Sequence, residues 1–196
     1  MSEDGKNIVA MLKELRTLCE EIHRLLGTAD GQIQELDKGW KPIPANVFSG
    51  LSYMLSPRQS RRQSPRHWIP QDFSRFYEND NLGHIRAFVS VILDDWEKES
   101  VLGEPLLTAG WFDCDPGNTI ELRKIYSYAR WHLKMPGRRD DGQLVSADSK
   151  AWPKEPLRFL HVSTLGVPLM SVRDDKELKS KIINPLIQGI KEAQGR

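Results

Sequence analysis

The stretch Ala87–Phe112, AFVSVILDDWEKESVLGEPLLTAGWF, holds two short apolar runs around a polar connection. Ala87–Leu93 (AFVSVIL) is β-branched and apolar on both alternating faces, the pattern of a strand buried from two sides. Leu106–Phe112 (LLTAGWF) reads as a second strand. The connection, residues 94–105, is too short for a crossover helix, so the two strands are expected to pair antiparallel. A third strand is expected at Leu157–Thr164 and a fourth at Val167–Val172, turning at Leu165-Gly166, with Pro168 at an edge or strand start.

Between these runs the pattern is mixed. Asn118 and Glu121 have capping-box spacing, and Leu122, Ile125, Tyr126, Ala129 and Leu133 recur at helical spacing. Alternation through Ile125, Ser127, Ala129, Trp131 and Leu133 competes, and helix is the preferred reading for 118–135. Residues 136–156 read as a loop.

Helices are expected at both ends. Ile8, Met11, Leu15, Leu18, Ile22, Leu25 and Ala29 alternate by three and four, the a/d spacing of a heptad. Leu12, Cys19, Leu26 and Ile33 make the neighbouring position apolar too, so the stripe is wider than a two-stranded seam needs. The spacing predicts a helix from about 6 to 38 with a break near Gly27 and Gly31, each about 1 kcal/mol worse than Ala. Its surplus apolar face assigns an interface to Leu12, Leu15, Cys19, Ile22 and Leu26. At the other end, Asp174 and Glu177 form a cap, and Leu178, Ile182, Leu186 and Ile190 form one helical face. Pro185 lacks the amide that would bond back to Lys181, which predicts a kink or a split helix.

The resulting fold class is α+β: a single domain over 1–196, with a mostly antiparallel sheet of four or five strands flanked by N- and C-terminal helices. The chain has 196 residues, 39% hydrophobic and 28% charged, with a net charge of +1. Those values exclude collagen-like and wholly disordered classes and a global field toward nucleic acid. Two cysteines cannot build a disulfide scaffold. No window is apolar enough to span a bilayer, and the start MSEDGKN lacks the order of a signal peptide. A cytoplasmic location, with no membrane partner, is expected.

Charge is segregated along the chain. Residues 38–71 carry Lys38, Lys41, Arg58, Arg61, Arg62 and Arg66 and no acid. The Ser-Pro-Arg repeats at 56–58 and 64–66 place a basic loop at about 56–67. Arg58, Arg61, Arg62 and Arg66, with Trp68 as a stacking aromatic, suit a protein partner with an acidic face or a nucleic-acid backbone. Residues 94–121 hold eight acids against Lys98 alone. Among these, Asp94, Asp95, Asp113 and Asp115 follow the two strands. In parallel neighbours they would converge on a divalent cation; in an antiparallel pair they lie apart and no metal site forms.

Catalytic signatures are absent: there is no GxGxxG, GxxxxGK[ST], HExxH or CxxC. His161 and Ser163 share a strand face, yet a nucleophile also needs an orienting acid and an oxyanion site. No catalytic residue and no cofactor are assigned. The reading is a non-catalytic protein-interaction module or accessory subunit that binds a protein partner or itself. The alternatives are a nucleic-acid-binding accessory protein acting through Arg58–Arg66, and a divalent-metal-dependent hydrolase or nuclease using the four aspartates.

Overall fold

The computed structural model describes residues 3–43, 54–55, 72–93, 102–114, 130–152 and 159–195. Helix α1 runs Glu3–Leu36 without a break, a rod of about 51 Å. The expected interruption at Gly27 and Gly31 does not occur. Both glycines face open space. Leu26, Ala29 and Ile33 on the other side are buried, and burial of such side chains, about 1.5–3 kcal/mol for a Leu or Ile, outweighs the two glycine penalties.

The chain leaves α1 through a tight turn. Asp37 N donates to Ile33 O, and the Asp37 carboxylate accepts from Gly39 N at 2.9 Å. Gly39 is required here, because a Cβ would sit 2.7 Å from Asn79 Nδ2. The chain then enters β1 (Trp40–Pro42), with Trp40 buried. Next come β2 (Met54–Leu55), β3 (Asp72–Asn79), β4 (Ile85–Ile92), β5 (Leu106–Cys114), β6 (Val145–Asp148) and β7 (Phe159–Pro168).

All pairings are antiparallel, in the order β1-β3-β4-β5-β7-β6. Strand β2 pairs with Phe73 and Ser74, and β1 with Tyr77 to Asn79, so both lie along one edge of β3. The sheet is therefore six positions wide, more than the four or five expected. The two decisive runs occupy its centre as β4 and β5, paired antiparallel as their short connection requires. The predicted turn at Leu165-Gly166 is absent, and β7 is one strand of ten residues. Strand β6 lies inside the segment read as loop, because its alternating half-buried and exposed residues carry little apolar signal. Of the helix preferred over 118–135, the described part is a 3-10 turn at Trp131–Lys134; residues 118–129 lie outside the described residues.

Each sheet face is covered. On one, Phe73, Tyr77, Val89, Val91, Leu107, Ala109, Trp111, Leu165 and Val167 pack under α1 and the C-terminal helical segment. On the other, Phe76, Phe88, Phe112, Val162 and Phe159 join Trp131 and Met135 from the 3-10 turn and its cap. The rings of Phe88 and Phe112 stack at 5.3 Å, and Trp131 meets Phe159 edge-on at 5.1 Å.

The C-terminal segment comprises α2 (Asp175–Leu178), a π-helical turn (Lys179–Ile183) and α3 (Asn184–Gln194). The expected cap is present: Asp174 accepts from Glu177 N at 2.8 Å, and the Glu177 carboxylate accepts from Arg173 N at 2.6 Å. Pro185 falls in the first turn of α3, where a missing amide costs nothing. The split predicted from Pro185 is realised as the π turn just before it.

Candidate functional site

Only the second half of α1 is seated on the sheet. Ile22, Leu26, Ala29 and Ile33 are buried there, at a spacing that makes one continuous stripe. In the first half every residue from Lys6 to Glu14 is exposed, including Ile8 at 58%, Met11 at 67% and Leu12 at 49%. A solvated helix face is ordinarily charged; this one presents Ile8, Met11, Leu15 and Leu18 along a single line. Of the expected interface residues, Ile22 and Leu26 belong to the protein's own core. Leu15 and Cys19 are half-buried, and Leu12 is exposed.

The apolar line continues into a groove of about 730 Å³ between α1 and the chain from Leu169 to Leu178. Leu18, Leu25, Leu169, Val172 and Leu178 line it, and Met170, 76% exposed, stands at its lip. Charged residues, among them Arg24, Arg173, Asp174 and Lys176, form the rim. Contiguous exposed apolar surface of this kind marks a contact surface more often than it occurs by chance on a monomer.

A buried polar contact fixes α1 against the sheet. The Tyr77 hydroxyl donates to Asp30 at 2.8 Å, and Arg75 reaches the same carboxylate at 3.2 Å. Burial pushes the Asp30 carboxyl up from its usual range, while the Tyr77 bond and the Arg75 charge pull it down. Tyr77→Phe is expected to destabilise the protein by about 1–3 kcal/mol, since it strips a donor from a half-buried carboxylate. Urea melts measure this, and an unchanged midpoint would show that the contact does not hold α1 in place.

Three polar clusters lie elsewhere. His132 is fully buried. Its Nδ1 lies 2.9 Å from Thr164 Oγ1, and its Nε2 lies 3.0 Å from Asp140, which Arg138 also grips at 2.6 Å. With Asp140 ionised, Nε2–H donates to it and the Thr164 hydroxyl donates to Nδ1. Burial holds the His132 pKa below its ordinary value. The order of atoms is that of a nucleophile, base and acid, but among the described residues Thr164 is wholly buried and the His132 ring lies against Gly166.

The second cluster is a polar row across the same sheet face. Ser74, Ser90, Thr108 and Gly166 stand opposite one another on four neighbouring strands. Ser90 Oγ donates to Ser74 Oγ at 2.8 Å. Beside the row, burial pushes the Asp72 carboxyl up to about 6, against the opposing pull of Arg130 and a Ser74 hydrogen bond. The third cluster is a relay in which His161 lies 3.0 Å from Ser163, and Ser163 lies 2.7 Å from the exposed Ser146. The shared strand face of His161 and Ser163 thus produces a contact, though among the described residues no carboxylate bonds the His161 ring.

The acidic candidates do not converge where they can be seen. Ile92 ends β4 opposite Leu106, whereas Asp113 lies opposite Ile85 at the far end of the hairpin. Asp94, Asp95 and Asp115, like Arg58, Arg61, Arg62, Arg66 and Trp68, lie outside the described residues. Among the described residues no three His, Cys, Asp or Glu side chains are grouped to hold a metal ion. Burial raises both thiols, Cys114 to about 11, so neither is a ready thiolate. No described helix is long and apolar enough to cross a membrane.

No family model, curated protein or solved structure matches the chain.

Proposed function

We propose that this chain is a non-catalytic protein-interaction module that docks through the first half of α1. The observation that carries the reading is the exposed apolar face made by Ile8, Met11, Leu12 and Leu18 on a helix whose second half is seated on the sheet. The wide stripe suits an amphipathic helix as the partner element, because helix-in-groove recognition uses anchors at three- and four-residue spacing. Tyr77, Arg75 and Asp30 support this role by fixing the angle at which the helix leaves the sheet.

The test places a photo-reactive methionine analogue at Met11 of the full chain in its native cells, with the same group at exposed Gln188 as control. The expected result is a discrete protein adduct at Met11 that is absent at Gln188. Equal, diffuse labelling at both positions contradicts the proposal.

A further inference from the structure

We propose that Ser146 is a covalent modification site that takes an acyl group from an activated ester, with His161 as the base that reaches it through Ser163. Three groups form a chain. His161 Nε2 lies 3.0 Å from Ser163 Oγ, and Ser163 Oγ lies 2.7 Å from Ser146 Oγ. Ser163 is wholly buried, so water does not compete for its hydroxyl, whereas Ser146 is exposed at the outer end. The His132 cluster has the reverse layout: the hydroxyl that meets its ring, on Thr164, is wholly buried. Of the two, the His161 chain delivers a hydroxyl to solvent.

The strands build this arrangement. Ser146 of β6 stands opposite Ser163 of β7, and paired residues share a sheet face. His161, two residues before Ser163, falls on the same face. An extra residue, Leu160, enters β7 here: Asp113 pairs with His161 while Cys114 pairs with Phe159. Such a bulge re-aims the neighbouring side chain. His161 also stands opposite a carboxylate on each neighbouring strand, Asp113 on β5 and Asp148 on β6. Neither bonds the ring, yet a proton arriving on it has negative charge on either side. Strand β6 is the last in the sheet. Its outer backbone edge, paired with no described strand, supplies N–H donors for a carbonyl oxygen.

With Nδ1 carrying the ring proton, Ser163 donates to Nε2 and Ser146 donates to Ser163. In the step, Ser146 Oγ forms a bond to the ester carbonyl carbon, and the bond from that carbon to the leaving oxygen breaks. The Ser146 proton passes to Ser163, and the Ser163 proton passes to His161 Nε2. The leaving group departs as an anion with its electron pair. Neither Ser146 nor His161 lines the groove beside α1, so modification and docking stand or fall separately.

Incubation of the full chain with p-nitrophenyl acetate, followed by peptide mass spectrometry, tests the site. The expected result is acetylation of Ser146 and not of Ser180, an exposed serine whose hydroxyl donates to Glu177 O. His161→Gln is expected to slow acetylation of Ser146 on the order of 100-fold, the contribution of a general base, with an unchanged circular dichroism spectrum. In the unaltered chain two protons move in the step. The rate is therefore expected to depend quadratically on the deuterium fraction of the solvent, a signature that a merely structural His161 does not produce. Equal acetylation of Ser146 and Ser180 overturns the proposal, as does a rate indifferent to His161→Gln. A linear dependence on the deuterium fraction removes Ser163 from the proton path and overturns it too.

Discussion

Gly166→Ala is expected to lower the stability by about 3–5 kcal/mol. An added Cβ would lie 2.4 Å from His132 Nε2 and 2.8 Å from its Cδ2. The ring has nowhere to retreat, being fully buried and bonded at both nitrogens. Overpacking of this kind costs about 1–3 kcal/mol, and each buried polar group left unpaired by a displaced ring costs about 1–3 kcal/mol more. For a chain of this length each kcal/mol lowers the Tm by about 2–4 °C. Thermal melts of the variant are expected to show a drop of about 10 °C. The same substitution in a His132→Ala background is expected to cost much less, since the clashing atom is gone; equal cost in both backgrounds would show that His132 is not the reason for glycine.

Asp72→Asn is expected to stabilise the protein at neutral pH and not at acid pH. Burial sets the Asp72 pKa at about 6 in the folded state, against about 3.9 in an unfolded chain. Between these values the folded state holds a proton that the unfolded state has released. Stability therefore falls as pH rises from about 4 to 6, by up to about 3 kcal/mol in all. Asparagine does not ionise and escapes that loss. His132 acts in the opposite sense: its lowered pKa contributes stability above about 6.5 that is lost as the pH falls. Because both proteins contain His132, the difference between them isolates Asp72. Urea melts at pH 4.5 and 8 are expected to show a much larger advantage for the variant at the higher pH. A difference independent of pH would place the Asp72 carboxyl near its ordinary value.

The fold was legible where one physical pressure dominates. AFVSVIL and LLTAGWF are apolar on both faces, and both proved to be central strands. Asp174 and Glu177 form their cap because the residue types and spacing suffice locally. Legibility failed where a distant contact decides. Gly166 looks like a turn but is a strand position against which His132 lies, a glycine kept for close approach. Gly27 and Gly31 look like a break but sit on the solvent side of a helix seated by its other face. Strand β3 escaped notice because Ser74, Arg75 and Glu78 interrupt its apolar residues. The polar row of Ser74, Ser90 and Thr108 had no sequence signal beyond hydroxyls inside apolar strands, and the partner of each hydroxyl comes from another strand.

The exposed apolar face of α1 was legible in outline. The excess width of the apolar stripe on α1 is visible in the sequence, and it does exceed what the sheet covers. Which residues remain outside was not visible, because that depends on where the sheet ends beneath the helix. Ile22 and Leu26 are covered, while Ile8, Met11 and Leu12 are not.

The most direct test of the docking role is amide hydrogen exchange along α1. A helical stretch of about a dozen residues without tertiary support is marginal in water. In dilute solution the amides of residues 6–17 are expected to exchange far faster than those of residues 22–36. In the complex, whether with a second copy at high concentration or with a partner isolated from cells, the first group is expected to become protected while the second stays unchanged. Strong protection of residues 6–17 in the dilute chain, unaltered by any association, would contradict the account.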